Sequence, residues 1–239
     1  MIIIPDFTPC GFGNKVLYYN NMRQLAAKQG VGYACPPWEG LSVFDLPLEN
    51  ITQTEPQYLP FCLGEKYFDW KTISTRDIFK FAVEEPPLIK NSCAVHFRGT
   101  DKFRVDKDAI YVGQKTQYYL DAIDRLKEEV NHFYIFTDDL EMDQFKAVVE
   151  RLKELKLGYS FGDNTWDREY FAEDFVRMSH CDYMISSPST FNIVAGMVGK
   201  NKKIIHSKEW LDNRKNKNDR FWVELLENQD EDYSVWELI

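Results

Sequence analysis

Residues 93–106 read CAVHFRGTDKFRVD, and this stretch carries the pattern that decides the fold. An apolar run over residues 92–97 predicts a buried strand, which ends in a turn rich in charged residues. In an α/β sheet, ligands bind in the crevice beyond the carboxyl ends of the strands. The turn therefore predicts a site where a phosphorylated ligand meets cations. Arg98 can grip a phosphate through its planar guanidinium, Lys102 can add a second positive charge, and Asp106 would be a nearby base.

Downstream of this strand, apolar runs alternate with helical periods. Helices are predicted at about 115–130, 140–156, 171–180 and 190–198, and strands at 132–137, near 159, at 182–186 and at 203–206. Such an alternation predicts a parallel sheet wound with helices, which is a Rossmann-like α/β domain.

The amino-terminal segment shows the same order of elements on a smaller scale. A strand at residues 2–5 is followed by a turn containing Gly11, Gly13 and Asn14 and by a helix over residues 15–29. Glycine lets the backbone approach an anion at the positive end of a helix. The turn is therefore either a phosphate-binding loop or a tight connection between two elements.

Residues 31–90 have no clean period. A strand is predicted at 31–35 and a short helix that ends at residue 82, and the paired prolines that follow indicate a domain boundary. The chain is accordingly divided into a small amino-terminal α/β domain, residues 1–88, and a Rossmann-like domain, residues 89–239. Aromatic side chains in this region either stack on sugar rings or pack a core; they are Trp38, Phe44, Tyr58, Phe61, Tyr67, Phe68 and Trp70.

Composition excludes several classes of protein. The chain has 239 residues and a formal net charge of -9, which argues against a general nucleic-acid binder. Its five cysteines are widely spaced and form no CxxC pair, so they predict free thiols in a reducing compartment. No signal peptide and no membrane-spanning run is evident, and a cytoplasmic protein is expected.

Two charged segments each allow two interpretations. Residues 200–220 contain eight Lys or Arg against three Asp or Glu, which indicates either a solvated face or peripheral contact with an anionic membrane. Asp138, Asp139 and Asp143 suit magnesium by their oxygen ligands, but capping of the next helix by Thr137 or an adjacent Asp is favoured.

Two motifs resemble those of one known family. The segment HFRGTDK at residues 96–102 resembles the His-x-Arg-Arg-x-Asp-(Lys/Tyr) signature of the GDP-fucose-dependent fucosyltransferase superfamily, which includes α1,2- and α1,6-fucosyltransferases. Its ending is closer to the α1,6 branch, and Gly99 stands where many members have a second Arg. His96 occupies the position of a family histidine that contacts the nucleotide. The segment GFGNKVLYY at residues 11–19 resembles the opening of the same superfamily.

A third stretch, residues 173–191, resembles the family pattern of an acidic residue, an apolar strand and a Ser-x-(Ser/Thr)-(Ser/Thr)-Phe turn. Asp174 occupies the acidic position, which in this superfamily accepts hydrogen bonds from guanine. A carboxylate suits the N1 and N2 hydrogens of that base. Ser187, Ser189 and Thr190 begin a helix, and they either bind phosphate or cap the helix.

The resemblance implies a GT-B-like fold of two facing Rossmann-like domains, of which the amino-terminal one is small and forms the acceptor side. It also implies an inverting glycosyltransferase that moves L-fucose from GDP-β-L-fucose to a hydroxyl of an oligosaccharide or glycolipid. The product would carry an α1,6 or α1,2 linkage, and no metal or other cofactor is expected. A transferase for another GDP-sugar and a non-catalytic GDP- or glycan-binding module are the alternatives.

The resemblance also implies a role for each residue. The diphosphate would lie near Arg98, the turn at residues 187–190 and the loop at residues 11–14. Arg98 and Lys102 would neutralise the charge that develops on the leaving GDP. Asp106 would deprotonate the acceptor hydroxyl, with Asp108 or Asp101 as the alternative bases.

Overall fold

The structure is a computed structural model that describes residues 1–7, 11–50, 55–59, 79–82, 87–99, 114–162, 171–216 and 236–239. The described residues form two compact units. Those up to Ala82 belong to the first unit and those from Pro87 onward belong to the second. Residues 83–86 lie outside the described residues, and the division of the chain at residue 88 stays a prediction.

The first unit contains a four-stranded sheet and a long helix. Its elements are β1 (Ile2–Ile3), α1 (Phe12–Gln29), β2 (Tyr33–Ala34), a 3-10 helix (Glu39–Ser42), β3 (Glu49–Asn50) and β4 (Gln57–Tyr58). The strand order is β3-β2-β1-β4, with β1 parallel to β2 and β4, and β3 antiparallel to β2. The predicted helix is confirmed, although it begins three residues earlier than expected. It ends at Gly30, whose φ of 64° favours glycine.

Aromatic side chains form the core of the first unit. Trp38 stacks on Phe7 with ring centroids 5.1 Å apart, and Phe44 meets Phe79 edge-on at 5.0 Å. Both Trp38 and Phe44 are buried, so core packing explains them. Phe44 also forms a β-bridge with Phe81, so the short helix predicted to end at residue 82 is wrong over residues 79–82.

The second unit is built on a parallel sheet of six strands. They are β5 (Ile89–His96), β6 (His132–Phe136), β7 (Gly158–Phe161), β8 (Cys181–Ile185), β9 (Lys203–His206) and β10 (Trp236–Leu238). Across the sheet the order is β10-β9-β8-β5-β6-β7, and every neighbouring pair is parallel. Numbered within this unit the order is 3-2-1-4-5-6, which is that of a dinucleotide-binding Rossmann sheet. The predicted α/β class is therefore confirmed.

Helices connect these strands and bury apolar faces against them. They are α2 (Thr116–Leu126), α3 (Asp143–Glu154), α4 (Phe171–His180), α5 (Thr190–Val198) and α6 (Lys208–Asn216). The periodicity that predicted the helices reflects this burial: Ile123 of α2 and Val148 of α3 lie in one core with Phe133 and Ile135 of β6. The central strands are buried on both faces, which is why they read as continuous apolar runs.

Two elements of the second unit have no counterpart among the predicted ones. Helix α6 is rich in charged residues, and β10 has only three residues, so neither shows a clear apolar period. Strand β10 pairs with β9, and the Ile239 amide then donates to the His206 carbonyl. Strand β10 is therefore held by pairing with a distant part of the chain.

Candidate active site

The candidate site lies where the order of strands reverses. From β5 the chain continues through β6 and β7 on one side, whereas from β8 it continues through β9 and β10 on the other. Because β5 and β8 are neighbours, their carboxyl ends border the crevice in which such a sheet binds ligands. His96 ends β5, and residues 186–189 follow β8. Three predicted groups, His96, Arg98 and the turn at residues 187–190, therefore share this edge.

His96 is bound directly to the turn after β8. Its Nδ1 lies 2.6 Å from Ser187 Oγ, and the residue is only 9% exposed. Burial, and secondarily the charge of Arg98, lowers the pKa of His96 from its ordinary value of 6.5 to about 3. The imidazole is therefore neutral near pH 7, and it joins the two central strands at the predicted site.

Arg98 is held by the residues on either side of it. The Phe97 amide donates to the Phe136 carbonyl at 2.8 Å, and the Gly99 amide donates to Asp138 Oδ1 at 2.6 Å. Both acceptors lie at the end of β6 or directly after it. The backbone of Arg98 is therefore anchored on both sides, while its side chain is half-buried at the carboxyl edge of the sheet.

Gly99 allows this close approach between the two strand ends. A Cβ atom at this position would lie 2.6 Å from Met142 Sδ and 2.7 Å from Asp139 Cβ. Such distances are too short for any side chain to be accommodated without movement. The segment after β6 therefore occupies the space that a second arginine would need.

The segment of Thr137, Asp138 and Asp139 shapes a turn. The Asp139 amide donates to Thr137 Oγ1 at 3.0 Å, and the Glu141 amide donates to Asp139 Oδ1 at 2.9 Å. Helix α3 begins later, after Met142, with no side-chain cap. The expectation that Thr137 or an adjacent Asp caps this helix is therefore wrong. Among the described residues, no group of three His, Cys, Asp or Glu side chains could hold a metal ion.

The turn after β8 is buried and leads into α5. Ser187 is fully buried, and Ser189 is the N-cap of α5, where its hydroxyl accepts from the Phe191 amide at 3.4 Å. Thr190 begins the helix and is half-buried. Ser189 therefore caps the helix, and phosphate binding by the three residues stays a prediction.

Asn192 was missed by the sequence analysis. It lies on α5 and is fully buried beside the turn that binds His96. Its side chain is the one amide in a helix whose other residues are mostly apolar, TFNIVAGMV. A lone amide in such a helix is the signal that could have identified it, because buried polar side chains need partners.

Two tyrosines of α2 close the same edge from one side. The Tyr118 hydroxyl lies 2.8 Å from both the Ser186 and the Ile205 carbonyl oxygens, which share its single hydrogen, and Tyr119 donates to the His96 carbonyl at 3.3 Å. Burial raises the pKa of both tyrosines well above the ordinary value. They are therefore neutral donors that satisfy carbonyl groups at the strand ends.

Asp174 lies in the first turn of α4 beside the end of β7. A Cβ atom on Gly162 would lie 2.7 Å from Asp174 Oδ1 and 2.4 Å from Cδ1 of the Phe136 ring. The Asp174 carboxylate and the Phe136 ring therefore both lie close to the backbone of Gly162, which has no side chain. The Gly162 amide donates to the Ile135 carbonyl at 2.8 Å. This combination suits a planar base that offers N–H donors.

The glycine turn lies in the first unit. Gly11 is the N-cap of α1 and makes no side-chain capping bond, and its carbonyl accepts from the Lys15 amide at 3.1 Å. Gly11 and Asn14 are exposed, whereas Gly13 is buried. The first amides of α1 receive no bond from an N-cap side chain, which suits an anion.

The remaining predicted residues are not described. Lys102, Asp106 and the alternative bases Asp101 and Asp108 fall within residues 100–113, which lie outside the described residues. Their roles stay predictions.

Part of the basic segment at residues 200–220 is engaged in ion pairs. Lys202 Nζ lies 3.0 Å from Asp182 Oδ2, and Lys203 Nζ lies 3.3 Å from Glu237 Oε2. Contact of this segment with a membrane stays a prediction. No helix in the described part of the chain has the length and apolar character needed to span a bilayer.

Comparisons with known proteins agree with this fold. The model of glycosyl transferase family 11 matches residues 79–226. A crystal structure of POFUT1 in complex with GDP is similar with a TM-score of 0.54 and 10% sequence identity, over 85% of this chain and 96% of that one. A second structure, of POFUT1 in complex with GDP-fucose, has a TM-score of 0.41 and 12% identity, over 85% of this chain and 72% of that one. None of the curated proteins matches the sequence.

Proposed function

The chain belongs to glycosyl transferase family 11, and from this we propose that it transfers L-fucose from GDP-β-L-fucose to a hydroxyl group of a glycan. The reaction inverts the configuration and gives an α-linked fucose, as α1,6 or α1,2. The observation that carries the proposal is the hydrogen bond between His96 and Ser187, which joins the carboxyl ends of β5 and β8 next to Arg98 and the start of the following helix. The fold is also that of POFUT1, which was solved in complex with GDP.

The chemistry of this edge suits a nucleoside diphosphate. Arg98 supplies a fixed positive charge, and the amino end of α5 supplies backbone amides and the Thr190 hydroxyl. Asp174, beside Gly162, accepts the N1 and N2 hydrogens of guanine, which uracil and adenine do not offer as a pair. Phosphate binding by the turn of Gly11, Gly13 and Asn14 stays a prediction from the resemblance.

The transfer needs a charge-neutralising group and a base. As the glycosidic bond breaks through an oxocarbenium-like state, Arg98 and Lys102 neutralise the negative charge on the departing GDP. Asp106 takes the proton from the acceptor hydroxyl, which attacks the opposite face of the sugar. The reaction requires no metal ion, because the cations of the protein stabilise the leaving group.

The wide spacing of the five cysteines is the ground on which we propose a reducing, cytoplasmic location. Cys35, Cys93 and Cys181 are free cysteines among the described residues. Burial raises the pKa of both Cys35 and Cys181 to about 12, so these thiols are unreactive. The acceptor is then a glycan or glycolipid that is available on the cytoplasmic side.

Calorimetric titration with GDP, UDP and ADP in the presence of EDTA tests the donor site. We expect selective binding of GDP that weakens about tenfold to a hundredfold in Arg98→Ala, because a hydrogen bond to a charged group is lost. Arg151→Ala is the matched control, since that guanidinium pairs with Asp124 on the helix surface. Equal binding of all three nucleotides, or unchanged GDP affinity in Arg98→Ala, contradicts the proposal.

Release of GDP from a panel of GDP-sugars, with and without glycan acceptors, tests the transfer. Fucose-dependent release that needs an acceptor is expected. Asp106→Asn should abolish transfer and leave GDP affinity nearly unchanged. Unchanged turnover in this variant, with loss in Asp108→Asn or Asp101→Asn, would assign the base to another carboxylate.

A further inference from the structure

The first turn of α2 is bonded to three strand ends at the carboxyl edge. The Tyr119 hydroxyl donates to the carbonyl of His96, the last residue of β5, at 3.3 Å. The Tyr118 hydroxyl lies 2.8 Å from the carbonyl of Ser186, which directly follows β8, and 2.8 Å from the carbonyl of Ile205 in β9. Two adjacent residues of one helix therefore contact β5 on one side and β8 and β9 on the other.

Helix geometry and core packing explain how the two hydroxyls reach different strands. Adjacent side chains on an α-helix point about 100° apart, because the helix has 3.6 residues per turn. Both Tyr118 and Tyr119 lie in the core that the helix shares with the sheet, and the Tyr119 ring packs on Phe97 with ring centroids 4.3 Å apart. Because packing fixes both rings, the hydroxyls hold the strand ends at a fixed separation.

The carbonyls that these hydroxyls contact adjoin the residues of the candidate site. A carbonyl and the amide that follows it lie in one rigid plane. Tyr119 therefore orients the peptide group that leads from β5 to Arg98, since this group joins the residues at positions 96 and 97. In the same way, Tyr118 orients the peptide group between Ser186 and Ser187. Each hydroxyl thus acts on the backbone one or two residues from a predicted ligand-binding group.

We infer that Tyr118 and Tyr119 are positioning residues that set the separation between the ends of β5 and β8, so that Arg98 and the start of α5 contact one diphosphate. The effect on the nucleotide rests on the proposed function, whereas the effect on the strand ends does not. The hydrogen bond between His96 and Ser187 joins the two strand ends directly, and the tyrosine hydroxyls support the same ends from α2.

Amide hydrogen exchange, measured by NMR on the full chain without ligand, tests the support of the strand ends. Tyr119→Phe keeps the ring and removes the hydroxyl, so the Phe97 and Gly99 amides should exchange about threefold to tenfold faster. Tyr118→Phe should have the same effect on the Ser186 amide, which donates to β9 at 2.9 Å. Equal acceleration throughout the sheet, or no change at these amides, overturns the inference.

Two ligands separate the positioning of phosphate-binding groups from a general loss of structure. By calorimetry, Tyr118→Phe and Tyr119→Phe should each bind GDP about threefold to tenfold more weakly than the wild type. Guanosine has no phosphate groups, and Asp174, which is proposed to bind its base, lies beside the end of β7. The affinity for guanosine should therefore be unchanged. An equal loss for both ligands, or an unchanged affinity for GDP, overturns the role in phosphate binding.

Tyr183→Phe is the matched control. Tyr183 is a buried tyrosine within β8, and its hydroxyl donates to Glu129 Oε2 at 2.6 Å, beyond the carboxyl end of α2. This variant should lose stability, with GDP affinity and exchange at the strand ends unchanged. A loss of GDP affinity equal to that of Tyr119→Phe contradicts the inference. If the wild-type protein binds no GDP but the exchange results are as expected, the proposed function fails and the role of the tyrosines at the strand ends stands.

Discussion

The two edges of the six-stranded sheet contain the same kinds of buried polar residue but leave different groups for a partner. At the amino edge, the Asn91 amide donates to Asp182 Oδ2 at 2.8 Å, much as the Gly99 amide donates to Asp138 at the carboxyl edge. Asn201 donates to two carbonyls at the amino edge, as Asn192 does at the carboxyl edge.

The difference lies in the charged groups at the two edges. At the amino edge the carboxylate of Asp182 is already paired, since Lys202 Nζ lies 3.0 Å from its Oδ2, whereas the carboxyl edge carries the half-buried guanidinium of Arg98. An anionic ligand is therefore better matched to the carboxyl edge, although both edges have similar networks. The comparison teaches that residue type alone does not identify a site; the charge at the strand ends also decides it.

The largest expected effect is a loss of folding free energy at acid pH, caused by two buried histidines at the carboxyl edge. His96 and His206 end β5 and β9, and burial lowers the pKa of each from 6.5 to about 3. Between these values the unfolded chain binds more protons than the folded one, so the free energy of unfolding falls as pH falls. Each histidine contributes up to about 1.4 kcal/mol per pH unit in this window. Urea unfolding from pH 8 to pH 4 measures the slope.

His206→Gln provides the check on this slope. Removing one titrating group should reduce the slope below pH 6.5 by up to about 1.4 kcal/mol per pH unit and leave the curve above pH 7 parallel to that of the wild type. An unchanged slope below pH 6.5 would show that His206 is not buried in its neutral form.

At the amino edge, Asp182→Ala should cost about 3 kcal/mol of folding free energy, since the Asn91 amide loses its charged acceptor. Affinity for GDP should be unchanged in the folded variant. Asp182→Asn keeps an oxygen acceptor, so it should lose less folding free energy than Asp182→Ala. Chemical unfolding and calorimetry measure the two quantities. A loss of GDP affinity with little loss of stability would contradict the contrast between the edges.

Gly162→Ala should cost about 2 kcal/mol of stability by overpacking and should also lower selectivity for GDP over ADP. The added methyl group would displace either the Phe136 ring or the Asp174 carboxylate. Gly199→Ala is the matched control at the amino edge, because a Cβ there would lie 2.4 Å from the Ser179 carbonyl oxygen. It should lose stability without a change in selectivity. If both variants show the same selectivity for GDP over ADP, Asp174 does not recognise the base.

The smallest expected effect is that of Asp138→Ala, about 1 kcal/mol, which should appear mainly as weaker GDP binding. The Gly99 amide loses its acceptor, and of the two backbone bonds on either side of Arg98 the one made by Phe97 remains. Asp138→Asn keeps an acceptor oxygen and should be close to wild type. If Asp138→Ala binds GDP normally and is only less stable, Asp138 has the same role as Asp182.

Local patterns were enough to predict much of the fold and the first candidates for the site. Continuous apolar runs identified β8 and the second half of β5 because these residues are buried on both faces, and β6 because three of its five residues are buried. Helical periods identified α2, α3 and α4 because each buries only part of its surface, whereas α5 is a mostly apolar segment buried over seven consecutive residues. His96, Arg98 and Ser187 were found because they lie at or just after the ends of apolar runs, and the carboxyl ends of parallel strands share one edge of the sheet.

Long-range pairing decided the rest, because its partners are far apart in the chain. The order of the six strands places Ser187 beside His96 across 91 residues, and no local period encodes that neighbour. Strand β10 exists through its pairing with β9, and Asp138 became an acceptor for Gly99 instead of a helix cap. Chain order specifies which residues lie at strand ends, whereas hydrogen bonds between those ends specify what each residue can bind.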